Sequence, residues 1–178
     1  MHQLLAALLI FISILGCKPK EDHNYSTLKE NFEYYEKNNI DSLLIFSLSL
    51  NKNNDKIDPT LMGLKSYYIG RYYSKKGFND KALEKYFESE DYFKKSNNSV
   101  MLSKSYSMIG AVYRHLKDYK KSVEYFKMSY QYSSSNDSIV RATILNRIGD
   151  MHRDLDNIDS SFYYYHQSLN LCVRKILP

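Results

Sequence analysis

Five residues in the last part of this 178-residue sequence have side chains that could bind a metal ion: Asp150, His152, Asp154, Asp156 and Asp159. A calcium-binding loop that begins at Asp154 would need glycine at its sixth position and glutamate at its twelfth. The sequence has Asp159 and Tyr165 there, so we predict no metal site. It also has no glycine-rich phosphate loop, nucleophile elbow or Cys–His arrangement. We therefore expect no cofactor and no enzymatic activity.

Cys17 offers a different chemistry, because a cysteine thiol can carry a lipid. It follows an apolar run, Leu4 to Leu15. The run is shorter than the roughly 20 residues of a membrane-spanning helix but has the length of the apolar part of a secretory signal. The Ile-Leu-Gly-Cys end of the run resembles the lipobox of bacterial lipoproteins. The resemblance implies that residues 1–16 are a signal peptide and that fatty acyl chains such as palmitate are attached to Cys17.

A lipoprotein of this kind would be anchored in a membrane of the cell envelope and would face the periplasm or the cell surface. Residues 17–24 are polar and include a proline, and we interpret them as a tether. Two alternatives are an ordinary secretory signal and a buried first helix with an incidental cysteine. Cys172, the second cysteine, is expected to be a small buried residue.

The composition favours one helical domain. With 6 Gly and 3 Pro, the sequence has too few turn-forming residues for a β-rich fold, and 43% apolar residues is typical of a globular protein. The net charge of +5 is mild. It permits an acidic protein partner, but it does not by itself indicate a nucleic-acid-binding surface, and we expect no nucleic-acid partner.

Three glycines mark an internal repeat. Gly70, Gly110 and Gly149 each follow an isoleucine and lie 40 and 39 residues apart. An aromatic residue or histidine lies three positions later, a small residue nine positions after that, and a second aromatic residue four positions further on. In chain order, these three columns contain Tyr73, Tyr113 and His152; Ala82, Ser122 and Ser161; and Tyr86, Phe126 and Tyr165.

This pattern resembles the tetratricopeptide repeat (TPR), although the sequence has no Trp and its period is near 40 residues instead of 34. The resemblance implies an all-α fold, a right-handed α-solenoid of antiparallel helix hairpins. The three repeats would occupy about 60–97, 99–135 and 138–176. Glycine and the small residues would allow the two helices of a hairpin to approach closely, and the aromatic residues would fill the space around them.

Residues 25–57 are interpreted as a degenerate hairpin that precedes the repeats. Phe32 takes the place of the repeat glycine, and Leu44 and Leu48 fall in the small and aromatic columns of the second helix. Helix starts are predicted at acidic residues whose side chains could bind free backbone amides: Asp58, Asp80, Asp118 and Asp159.

In solenoids of this family, the first helices of successive hairpins line a concave surface. The resemblance implies a partner-binding groove that contains Tyr67, Arg71, Lys75, Lys104, Ser107, Arg114, Asn146, Asp150 and Arg153, with Ala111 and Thr143 also in its columns. Its basic residues favour an acidic or carboxylate-ended segment of a protein or peptide. The alternative is an ordinary solvated helix face.

One subfamily of these proteins clamps the terminal carboxylate of a peptide with Lys and Asn at set columns. Here those columns contain Tyr67, Arg71, Met108, Thr143 and Arg147. We therefore do not transfer this activity to the chain.

The main functional hypothesis is a non-enzymatic, lipid-anchored module that mediates protein–protein interaction as a scaffold. The second hypothesis is the sensor segment of a truncated, membrane-associated signalling or transcription regulator. Residues 169–178 are largely apolar and lack the polar capping helix that ends many repeat arrays. This stretch is consistent with self-association through the last helix, with a partner that covers it, or with a truncated longer protein.

Overall fold

The structure, a computed structural model, describes residues 25–50 and 58–176. These residues form eight α-helices and no strand. The predicted all-α fold is therefore confirmed. The helices are α1 (Tyr25–Asn38), α2 (Ile40–Ser49), α3 (Pro59–Lys75), α4 (Asn79–Lys95), α5 (Ser99–His115), α6 (Tyr119–Tyr132), α7 (Ser138–Asp154) and α8 (Ile158–Ile176).

The helices pack in sequence as a solenoid. The closest pairs are α3 with α4, α5 with α6 and α7 with α8, and each such hairpin also packs against the next through α4–α5 and α6–α7. The pair α1 and α2 packs against α3 in the same manner, and among the first helices α3 contacts both α1 and α5. The first helices therefore form one layer, which can line a shared surface.

The turns inside the hairpins repeat as regularly as the helices. Gly77, Lys117 and Asp156 have φ values of 81°, 61° and 56° and lie 40 and 39 residues apart. Each is the left-handed residue that reverses the chain after a first helix. Only the first of these turns uses glycine, which adopts positive φ without steric cost. Asn97, with φ 52°, has this role in the link between α4 and α5.

Two of the four predicted helix caps are present and two are wrong. The carboxylate of Asp58 accepts a hydrogen bond from the amide two residues later at 2.8 Å, and that of Asp118 from the amide three residues later at 3.1 Å. Asp80 and Asp159 instead lie within the first turns of their helices. The amide at the start of α8 is bound by Asn157, at 3.2 Å. The α4 cap position is Phe78, whose side chain makes no capping bond.

The three repeat glycines occupy equivalent places inside successive hairpins. A Cβ atom added at each would lie 2.7 to 3.0 Å from an aromatic ring of the second helix, closer than ordinary van der Waals contact. The facing pairs are Gly70 with Tyr86, Gly110 with Phe126 and Gly149 with Tyr165. Gly63, which the repeat pattern did not single out, makes the same kind of contact with Phe93, at 2.5 Å.

The small-residue columns are also at helix–helix contacts. Ala82, Ser122 and Ser161 are 0, 0 and 4% exposed. The Ser122 hydroxyl donates to the carbonyl oxygen of Gly110 at 2.8 Å, so this serine bonds the backbone of the facing helix. A larger side chain at these positions would push the two helices apart.

The third repeat uses histidine where the second uses tyrosine. In the second repeat, Tyr113 stacks on Tyr125 with ring centroids 5.4 Å apart. In the third, His152 stacks on Tyr164 in the same columns, at 5.2 Å. His152 thus has the packing role that the repeat pattern gives to an aromatic residue. Both ring nitrogens of His152 are buried without a hydrogen-bond partner among the described residues.

Helix α2 lies one residue out of the expected register. Leu43 and Ser47 are fully buried, while Leu48, expected in the aromatic column, is 58% exposed. The spacing from Ala82 and Tyr86 to the corresponding buried positions of α2 is 39 residues, whereas the expected register is 38. Phe32, in the glycine column of α1, is fully buried, with its ring stacked on that of Tyr68 at 4.3 Å.

Candidate functional site

A groove of about 330 Å³ runs across the layer of first helices. It is lined by α1, α3, α5 and α7, with one contribution from α6. Four of the residues predicted for the partner-binding groove line it, namely Tyr67, Arg71, Lys104 and Ser107, and Thr143 lines it as well. The layer of first helices therefore contains an actual depression at part of the predicted positions.

The other predicted groove residues lie outside this depression. They are Lys75, Ala111, Arg114, Asn146, Asp150 and Arg153. Some are engaged elsewhere: the Lys75 amine donates to the carbonyl oxygen of Glu36 at 2.9 Å, and Asp150 lies 3.4 Å from Arg153. Asp150 also accepts a hydrogen bond from the Tyr165 hydroxyl at 2.7 Å.

The reason is a drift of the groove along successive first helices, as expected where each repeat of a solenoid is slightly rotated against the last. The groove meets α3 from its midpoint onward, at Tyr67 and Arg71, but meets α7 mainly in its first half, where Val140, Thr143 and Ile144 line it, with Arg147 just past the midpoint. The predicted groove residues were assigned at the same positions in every repeat, which assumes that the groove crosses each first helix at the same height. For α7, this assumption places the predicted residues too close to the end of the helix.

Sequence analysis also missed several groove residues. Glu33 and Glu36 come from α1, whose degenerate sequence carries no recognisable groove column. Met108 and Arg147 stand in the columns of the carboxylate-clamping subfamily, as the expected Thr143 does, and both line the groove. Those columns were a usable signal for the position of the groove, even though their residue types differ from those of the clamp.

Arg71 is already neutralised by this chain. Its guanidinium forms an ion pair with Glu36, and its Nη1 lies 3.3 Å from the sulfur of Met108. Burial lowers the pKa of Arg71, but the neighbouring Tyr67 and Glu36 raise it by more, so the net shift is upward. Arg71 is therefore held charged against α1.

Lys104 and Arg147 differ from Arg71 because they are not paired with a carboxylate of the described residues. Neither has a carboxylate within 4.0 Å among the described residues. The Nη1 of Arg147 donates to the Ser107 hydroxyl at 2.6 Å. Burial lowers the pKa of Arg147, and the positive charge of Arg114 lowers it further. Burial, followed by the charge of Lys29, also lowers the pKa of Lys104.

The described residues contain no group of three or more His, Cys, Asp or Glu that could hold a metal ion. None of the helices they form is long and apolar enough to cross a bilayer. Cys17 and the rest of residues 1–24 lie outside the described residues, so the signal peptide, the lipid attachment and the tether stay predictions. Cys172 was expected to be buried and is exposed, because it lies at the edge of the α8 face that no described helix covers.

Comparison with known proteins agrees with this architecture. Residues 141–176 match the family model of the tetratricopeptide repeat. The crystal structure of MamA superposes with a TM-score of 0.66 at 13% identity, over 88% of this chain and 82% of that one. The nearly identical TPR-like repeats of a Podosopora anserina protein give 0.63 at 11% identity, over 84% and 75%.

The TPR domain of Arabidopsis FLU gives a TM-score of 0.56 at 12% identity, over 63% of this chain and 95% of that domain. No curated protein sequence matches the chain significantly. At these identities the superpositions establish the fold alone. Together with the repeat glycines and the hairpin packing, they show that the chain has the fold of a tetratricopeptide-repeat solenoid.

Proposed function

We propose that this chain is a lipid-anchored module that binds an acidic segment of another protein in the groove across α1, α3, α5 and α7. The observation that carries the proposal is the pair of cations Lys104 and Arg147, which line the groove without a carboxylate partner among the described residues. The other parts of the proposal, the anchor and the envelope location, rest on the sequence of residues 1–24.

The negative charge of an incoming carboxylate would offset the burial and the neighbouring positive charges that lower the pKa of Arg147. Removal of a charged group from water is unfavourable unless an opposite charge compensates, and like charges nearby add to the cost. The guanidinium has five N–H donors, and the bond to Ser107 uses one of them. The remaining donors leave room for a carboxylate, which arginine binds well because the two groups match in geometry.

The charges along the groove differ between its two ends. Glu33 and Glu36 lie at the α1 end, where Glu36 is paired with Arg71 and where both carboxylates partly offset the lowering of the pKa of the nearby Lys104 of α5. Arg147 lies at the α7 end. A bound segment should therefore place its acidic residues near α5 and α7 and should be repelled from that end if it is basic. The charge pattern thus sets the direction of the bound segment as well as its composition.

Part of the groove wall is apolar. Val140, Met108 and Ile144 line it beside the two cations. Methionine adapts its shape to different apolar partners. A segment in which acidic residues alternate with aliphatic ones would use both parts of this surface. Purely electrostatic binding would be weaker, because exposed ion pairs contribute little in water.

The anchor would place this groove close to a membrane surface. The lipobox-like end of the apolar run and the short polar tether of residues 17–24 support acylation of Cys17. Two or more acyl chains give stable attachment, whereas a single chain is marginal. The expected location is the cell envelope, on the periplasmic side of a membrane or on the cell surface.

The groove can be tested with a labelled peptide in which Glu alternates with Leu, measured by fluorescence anisotropy against the full chain. Arg147→Gln should weaken binding roughly 10-fold or more, since a hydrogen bond to a charged group contributes about 1.5–3 kcal/mol. Glu36→Gln should strengthen binding, because it releases Arg71 to a second carboxylate. Lys120→Gln, on the exposed side of α6, is the matched control and should bind like the native chain.

A peptide with Lys in place of Glu should not bind. If the acidic peptide fails to bind, or binds Arg147→Gln as tightly as the native chain, the groove assignment is wrong. The anchor is tested separately by feeding expressing cells a fatty-acid analogue that can be labelled. Label that persists on a Cys17→Ser variant would exclude the lipobox interpretation.

A further inference from the structure

The outer face of α8 carries an apolar stripe that no described residue covers. Ile158, Phe162, Leu169 and Val173 are 51, 70, 59 and 40% exposed. Their spacing of four, seven and four residues puts them on one side of the helix. Ser161, on the side that faces α7, is 4% exposed. The exposed side of α8 is thus as apolar as an interior helix face.

The preceding hairpin shows what such a stripe does in this fold. Tyr119, Val123 and Tyr130 of α6 stand 39 residues before Ile158, Phe162 and Leu169, in the same repeat columns. They pack against the apolar side of α7, and Val123 is only 7% exposed. Each second helix therefore has two contact faces, one for the first helix of its own hairpin and one for the next helix in the stack. The stripe on α8 continues this interface.

The stripe is also free of charge, which decides what can cover it. From Ser160 to Val173 the sequence has no Asp, Glu, Lys or Arg. By contrast, α4 has nine such residues. In a two-fold symmetric contact, residues near the axis meet their own copies, so a charge there would face a like charge. A charge-free stripe avoids this repulsion and is suited to contact with itself.

We infer that two copies of the chain associate through this stripe, with α8 of one copy antiparallel to α8 of the other about a two-fold axis. The four apolar side chains expose on the order of 500 Å² per copy, so the pair buries on the order of 1,000 Å², the lower limit of specific interfaces. The dimer is therefore weak, with a Kd in the roughly micromolar range. The groove lies on other helices and stays open in the dimer.

Association can be measured by sedimentation velocity on the full chain, carrying Cys17→Ser and kept in mild detergent, at concentrations from about 1 to 100 µM. The protein with the unaltered stripe should shift from monomer to dimer across this range. Phe162→Glu should stay monomeric with an unchanged circular dichroism spectrum, because its side chain is 70% exposed. Val100→Glu, at a position 54% exposed on α5, should dimerise like the native surface. A native surface that stays monomeric, or a Phe162→Glu variant that dimerises equally, would overturn the inference.

Disulfide trapping tests the geometry of the pair. The midpoint of the stripe falls next to His166, which is exposed and would lie near the axis, whereas Ile158 is about 11 Å along the helix from that midpoint. In a background of Cys17→Ser and Cys172→Ser, mild oxidation should link two copies through His166→Cys but not through Ile158→Cys. Equal yields at both positions would contradict the antiparallel arrangement. Linkage to another protein in place of a second copy would contradict the choice of partner. Neither assay depends on the groove.

Discussion

Replacement of Gly70 by alanine tests the close helix contact on which the solenoid depends. The added Cβ would lie 2.7 Å from Cε1 and 2.8 Å from Cδ1 of Tyr86, whereas ordinary contact begins near 3.4 Å. Tyr86 is fully buried. Its ring has no solvent to move into, so either the ring or the facing helix must shift by about 0.7 Å.

Two opposing effects set the magnitude. Alanine is favoured over glycine inside a helix by about 1 kcal/mol. Overpacking of a well-filled core costs about 1–3 kcal/mol. Because Tyr86 is enclosed on all sides, we expect the overpacking to be near the upper end of that range. The net loss for Gly70→Ala is then about 1–2 kcal/mol of unfolding free energy, with a fall of a few degrees in Tm.

Gly110→Ala is the matched comparison. Its Cβ would lie 3.0 to 3.2 Å from Phe126, so the ring needs to move by only a few tenths of an ångström. The smaller overpacking should nearly cancel the gain in helix propensity, and the variant should be close to the native chain in stability. In a Tyr86→Leu background, Gly70→Ala should cost less unfolding free energy than it does in the native chain, because leucine is smaller and more flexible than tyrosine.

Urea unfolding followed by far-ultraviolet circular dichroism measures the native chain, the three single variants and the double variant under one condition. The reasoning is refuted if Gly70→Ala is as stable as the native chain or more stable. It is equally refuted if Gly110→Ala loses more than Gly70→Ala, since the order of the two follows directly from the distances to the facing rings.

Three further predictions follow from the same structure. Burial, aided by the charge of Lys127, lowers the pKa of His152, so the unfolded chain binds protons more readily and the folded state should lose stability as pH falls below about 6.5. His152→Tyr should flatten this trend in urea midpoints taken at neutral and mildly acidic pH, and an equally steep trend would count against it. Asn98→Ala removes the side chain that accepts a hydrogen bond from the Met101 amide at 3.1 Å. Thermal unfolding of this variant should show a loss of about 1 kcal/mol in unfolding free energy. Asp80→Ala, which removes no cap, should cost less. Ser168→Ala deletes the hydrogen bond to the carbonyl of Ala142, 2.9 Å long, and should cost about 1 kcal/mol relative to Ser135→Ala on an exposed link, as measured by Tm.

The repeat columns were accessible from the sequence because they depend on side-chain size at fixed helical spacing. A glycine opposite an aromatic residue, repeated at a constant period, describes a close contact between two helices without any coordinates. The cap at Asp58 was accessible for the same reason, since it concerns amides within three residues of it. The caps expected at Asp80 and Asp159 were wrong because a shift of one or two residues at a turn moves the helix start.

The groove was accessible only in part. Tyr67, Arg71, Lys104 and Ser107 line it as the column assignment implied, but Asn146, Asp150 and Arg153 do not. Each hairpin is rotated against the last, so the depression drifts along the first helices. The ion pair between Glu36 and Arg71 also could not be predicted from the sequence, because it joins residues 35 positions apart whose sequence surroundings share no pattern.

By itself, the sequence determined the class of fold, the period of the stack and the residues at three of its four close glycine–ring contacts, since all three follow from local periodicity and side-chain volume. Tertiary structure alone decided that Gly63 makes the fourth, which cations are already paired, where the groove runs and which face of α8 no described residue covers. These properties depend on the rotation between hairpins and on contacts between distant parts of the chain. Neither is encoded in the spacing of residues within one repeat.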